Sequence, residues 1–110
     1  MKITFHKELA SGKWFELSLI EQMANIGSEV SRTRKWQGKD KDTFWGAVAR
    51  ALELFDLTLS DPKLKGRLTE IARTKELFCD AVMGGKEYRS SLEDLDNYFL
   101  QYALYLRKNM

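Results

Sequence analysis

Nucleophilic, acid–base and metal chemistry in proteins draws mainly on histidine, cysteine and converging carboxylates, and this chain holds one histidine, His6, and one cysteine, Cys79. A structural zinc site takes about four such ligands, so the usual zinc sets are excluded, and a lone cysteine closes no intramolecular disulfide. Cys79 follows Phe78 and has no second Cys or His on a helix to activate it, which suits a half-buried apolar residue better than a nucleophile. A ferritin-like di-metal site needs Glu-x-x-His pairs projecting into a helix bundle, and His6 lies outside every expected helix. The carboxylates Glu21, Glu29, Glu53, Asp56, Glu70, Glu76 and Asp80 fall mainly on expected outer faces. Gly84-Gly85-Lys86 lacks the spacing of a phosphate loop and reads as a helix stop with a turn. No metal, no cofactor and no catalytic set is expected, which weighs against an enzyme.

Three arrangements of side chains remain. Lys75 projects with Ile71, Phe78 and Val82, and Asp96 projects with Leu92, Leu95 and Phe99; antiparallel packing of their helices brings the two to about the same level. A buried lysine needs such a partner, as a structural ion pair or as the polar centre of a ligand or enzyme pocket. Arg32, Arg34, Lys35, Lys39 and Lys41 surround Trp36, the combination a single-stranded nucleic acid uses when phosphates meet cations and a base stacks on a ring. Cations at a helix C-terminus also complement its dipole, and Asp40 and Asp42 dilute the cluster. Finally, Leu100 and Leu104 project to one side of the stripe Leu92, Leu95, Phe99, Ala103 and Leu106, with Tyr98 and Tyr105 on the other. That apolar arc is wider than one bundle helix buries. A homodimer through Tyr98, Leu100, Leu104 and Tyr105 would cover it; the alternative is that the two leucines widen the contact with neighbouring helices.

The elements that position these residues follow from the punctuation. Gly12, the polar stretch Gly38 to Asp42, Asp61-Pro62 and Gly84-Gly85 separate four amphipathic segments, expected as helices over residues 14–37, 42–60, 62–83 and 91–108. Asp61 before Pro62 suits a helix start, and Ser90 with Glu93 has capping-box spacing. Apolar stripes run along Leu17, Ile20, Met23, Ala24, Gly27 and Val30; along Val48, Ala51, Leu52, Phe55 and Leu59; and along Leu64, Leu68, Ile71, Phe78 and Val82. Short connections favour antiparallel neighbours, so the expected fold is an all-α, up-down four-helix bundle in a single domain over 1–110. Residues 1–12, in which Ile3 and Phe5 alternate with polar neighbours, form a short non-helical N-terminal arm ahead of the bundle at 13–110.

Composition agrees with a folded helical chain: 44% of the 110 residues are hydrophobic, 31% are charged, and there is one proline. A net charge of +2 confines any nucleic-acid affinity to a local patch. No apolar run is long enough to span a bilayer, and with one unpaired cysteine the cytoplasm is the expected compartment.

The run WFELSLIEQMANIGSEVSR, from Trp14 to Arg32, resembles the first helix of a family of short prokaryotic helical-bundle proteins. The resemblance continues into Leu77-Phe78-Cys79-Asp80 and Asn97-Tyr98-Phe99-Leu100; it implies a bundle and no particular activity. In size and helix order the chain is also similar to the HEPN-type bundles that accompany minimal nucleotidyltransferases in toxin–antitoxin pairs. Catalytic members of that group carry an Arg followed a few residues later by His, and no Arg here has such a His. The expected function is a non-enzymatic bundle that self-associates and binds another protein. The alternatives are a nucleic-acid-binding or nucleotidyltransferase-associated module acting through the basic cluster, and a small-ligand or enzyme site at Lys75 and Asp96.

Overall fold

The computed structural model describes residues 12–109. Among these, four helices, α1 (Leu19–Trp36), α2 (Lys41–Leu59), α3 (Leu68–Val82) and α4 (Leu92–Lys108), are accompanied by two short 3-10 turns, Lys13–Glu16 and Pro62–Leu64. They form an all-α, antiparallel up-down four-helix bundle with no strand among the described residues. Helix α1 is the central member: it packs most extensively against α4 and α2, while α3 rests on α2 and closes more lightly onto α4. The expected arm falls, apart from Gly12, outside the described residues.

The helix starts correct the sequence reading in three places. Helix α1 begins at Leu19 because Ser18 and Glu21 form a capping box: Ser18 Oγ accepts the Glu21 N–H at 3.2 Å and Glu21 Oε1 accepts the Ser18 N–H at 3.0 Å. The Ser18 backbone N–H on the carboxylate, with a smaller contribution from the Ser18 side chain, holds the Glu21 carboxyl below its usual range. Trp14 therefore sits in a separate 3-10 turn and not in the helix. Helix α3 begins at Leu68, since the Asp61-Pro62 start supports only a 3-10 turn before Gly66 and Arg67. Ser91, not Ser90, caps α4, accepting the Asp94 N–H at 3.0 Å. The Ser90 N–H is already taken by Asp80, whose carboxylate also accepts the N–H groups of Glu87 and Tyr88. Burial opposes ionisation of Asp80, but the three backbone donors prevail and hold its pKa below the usual value.

Met23, Ile26 and Val30 of α1 meet Val48, Ala51, Leu54 and Phe55 of α2, Ile71 and Phe78 of α3, and Leu92, Leu95 and Phe99 of α4. Phe55 touches both Phe78 and Phe99, with ring centroids 5.8 and 6.1 Å away. The stripes of α1 and α2 are rotated from the expected ones. Ile26 and Leu54 are core residues, and Glu29 and Glu53, expected outside, are buried. Gly27 lets α1 and α4 approach closely: a Cβ there would lie 2.8 Å from Phe99 Cβ.

One end of the bundle is closed by polar groups. Trp14 is fully buried and its indole N–H donates to Thr58 Oγ1 at 2.9 Å, while the Thr58 hydroxyl donates to the Leu54 carbonyl at 2.9 Å. Gln22, also fully buried, donates from Nε2 to the Trp14 carbonyl at 3.0 Å and to Asp61 Oδ2 at 2.8 Å. Lys63 completes the set through its own N–H and ammonium on Asp61 and a bond to the Phe15 carbonyl at 2.9 Å. Burial alone would raise the Asp61 pKa, but the hydrogen bonds from Lys63 and Gln22 and the lysine charge outweigh it and hold the carboxyl below its usual value.

Candidate functional site

The expected Lys75–Asp96 pair is replaced by two others. Lys75 Nζ lies 2.6 Å from Asp56 Oδ1, tying α3 to α2, and Arg34 Nη1 lies 3.0 Å from Asp96 Oδ2, tying α1 to α4. The reason is the uneven packing of α4, which lies chiefly on α1 and so presents Asp96 to Arg34. All four side chains are partly exposed, so these are solvated links and not the polar centre of a closed pocket. Lys75 does border an open cleft of about 580 Å³ with Cys79, Asp80, Met83 and Tyr88. Burial pushes the Cys79 thiol up despite the nearby Lys75 ammonium, which leaves it protonated near neutral pH and a poor nucleophile. Among the described residues, no group of three or more His, Cys, Asp or Glu is placed to hold a metal ion.

The basic cluster is divided by its own neighbours. Arg32 is held by Glu29 at 2.7 Å, and Arg34 by Asp96 with Glu93 at 4.0 Å. Lys35 stands 5.6 Å from the Trp36 ring centroid, and Trp36 packs partly into the core. Lys39 and Lys41 are exposed. The sequence reading did not include Trp45, which is 44% exposed one helical turn beyond Lys41. A tryptophan one position after buried Phe44 is displaced by about 100° from the core stripe, and that periodicity is the signal that identifies it.

On α4 the four residues expected at a dimer surface separate. Tyr98 turns partly inward: its ring lies 5.2 Å from that of Phe99, and its hydroxyl is 3.0 Å from that of Tyr102. Burial, reinforced by the Tyr98 hydroxyl, pushes the Tyr102 pKa well above the usual tyrosine range. Leu100, Leu104 and Tyr105 stay outside, 51%, 48% and 53% exposed. Beside Leu100 runs a shallow groove of about 320 Å³ between α1 and α4, walled by Ala24, Ser28, Ser31 and Ala103. The leucines therefore project past the contact between α1 and α4, which is made by Gly27 and Phe99.

Leu100 and Leu104 thus stand exposed one turn apart on α4, with exposed polar residues toward both ends of the helix. No family model, curated protein or solved structure matches the chain. Among the described residues, no helix is long and apolar enough to cross a membrane.

Proposed function

We propose that the protein is a non-enzymatic helical bundle that forms a homodimer through the outer face of α4 and acts as a binding module for another protein. The observation that carries this reading is the exposure of Leu100 and Leu104, one turn apart on one face of a well-formed helix, with Tyr105 also half exposed about 100° further round it. Covering those exposed portions removes on the order of 250 Å² per chain from water, about 6 kcal/mol per chain at about 25 cal/mol/Å². A twofold interface counts this twice, about 12 kcal/mol in total, against roughly 4–15 kcal/mol for lost translational and rotational freedom. The apolar row thus supplies the core of an interface, and the polar residues around it decide its strength. The free thiol of Cys79 suits a reducing compartment such as the cytoplasm.

Sedimentation at ~100 μM tests the reading. Wild-type chain sediments as a dimer, and Leu100→Glu with Leu104→Lys gives a helical monomer, because Leu95 and Phe99 are untouched. A wild-type monomer at that concentration rejects it.

One observation favours a second reading, a nucleic-acid-binding module: exposed Trp45 and Lys41 share a face of α2 near Lys39. The internal pairing of Arg32 and Arg34 weakens that reading, since two of its five cations already face carboxylates.

A further inference from the structure

The outer face of α4 carries more order than its two leucines. Glu93, Asn97, Leu100, Leu104 and Arg107 are all exposed and recur at alternating intervals of four and three, the spacing that keeps side chains on one line toward a facing helix. The line is apolar in its middle, acidic at its N-terminal end and basic at its C-terminal end. A second file, Asp94, Gln101 and Lys108, runs beside it at seven-residue spacing with the same polarity, and it too is exposed. Arg107 and Lys108 have no ion pair among the described residues. Among the described residues Glu93 approaches one cation, Arg34, at 4.0 Å, and its side chain remains 68% exposed.

We infer that the occupant of this face is a second copy of the chain, its α4 running antiparallel to the first across a twofold axis that passes beside Leu100. The inference rests on the self-association proposed above and specifies its geometry. Reversing α4 about that axis sets Leu100 against the partner's Leu100, Asn97 against the partner's Leu104 and Glu93 against the partner's Arg107. In the second file Asp94 meets the partner's Lys108 and Gln101 meets the partner's Gln101. Every charge on the two files finds an opposite one, twice per dimer by symmetry. A parallel pair would instead place Glu93 beside the partner's Glu93 and Arg107 beside the partner's Arg107, which repels at both ends. Antiparallel helices also oppose their dipoles, the positive end of one beside the negative end of the other. The groove between α1 and α4, whose α1 wall is the small residues Ala24, Gly27, Ser28 and Ser31, leaves room beside Leu100 on that side of the partner helix.

A charge swap tests the geometry. Glu93→Arg alone and Arg107→Glu alone should each weaken dimerisation about tenfold, because each turns two symmetric attractions into repulsions, and the double variant should return to within about threefold of wild type. Exposed substitutions of this kind leave the fold intact, which circular dichroism verifies. Independently, with Cys79→Ser to remove the native thiol, chains carrying Glu93→Cys mixed with chains carrying Arg107→Cys should form the mixed disulfide in preference to either homodimer. A wild-type monomer overturns the self-association reading and this inference together. A wild-type dimer whose swap is not restored, and whose disulfides form between like positions, leaves self-association standing and overturns the antiparallel geometry alone.

Discussion

The closed end of the bundle and the outer face of α4 resolve opposite problems. At the closed end the indole of Trp14, the amide nitrogen of Gln22, the hydroxyl of Thr58 and the carboxylate of Asp61 are removed from water and each finds a hydrogen-bond partner in the same chain, while Gln22 Oε1 is left buried without one among the described residues. On α4 Leu100, Leu104 and Tyr105 are large side chains left about half exposed. A buried polar group compels a partner inside the molecule because leaving it bare costs free energy. Exposed apolar side chains gain by any cover that removes them from water.

The largest effects should fall at the closed end. Trp14→Ala is expected to cost about 3–5 kcal/mol in chemical denaturation, since it removes a fully buried indole together with its hydrogen bond to the Thr58 hydroxyl. Asp61→Ala should cost about 1–3 kcal/mol by removing the charged acceptor of Gln22 Nε2 and of the Lys63 N–H. The Asp61 carboxyl is held below its usual pKa, so its ionised form stabilises the fold. That contribution is complete above the unfolded carboxyl pKa of about 3.9 and disappears as pH falls through the lower folded value. Acid unfolding followed by tryptophan fluorescence should accordingly be steeper in wild type than in Asp61→Ala below about pH 4.

Replacing Leu100 and Leu104 should show the reverse profile, abolishing association while shifting monomer stability by about 0.5 kcal/mol or less. A double variant that unfolds would place the leucines in the bundle's own core and erase the contrast between the two regions. Smaller effects should accompany the solvated ion pairs. A double-mutant cycle on Lys75 and Asp56 should give a coupling of about 0.2–1 kcal/mol, and a cycle on Lys75 and Asp96 none, because the latter residue faces Arg34. Least of all, Arg34→Glu with Lys35→Glu should lower the melting temperature by only a few degrees, through loss of the Asp96 pair. If the same variant abolishes salt-sensitive RNA or DNA binding shown by wild type, the corner beside Trp36 and Trp45 gains the function that the internal pairing of its arginines argues against.

The four-helix architecture, the bounds of α2 and α4 to within a residue, and the excess of apolar surface on α4 were legible in the sequence, because periodicity and turn residues are local properties of the chain. The capping box at Ser18 was legible too, as Ser-x-x-Glu spacing, but the apolar run beginning at Trp14 masked it. Only the tertiary structure decided that Lys75 meets Asp56, that Asp96 meets Arg34, that Glu29 and Glu53 are buried and that Tyr98 turns inward while Leu100 does not. Each depends on how far a helix rotates about its own axis and which neighbour it lies against. One residue of rotation is about 100°, enough to carry a side chain from one partner to another while leaving the period that marks the helix unchanged.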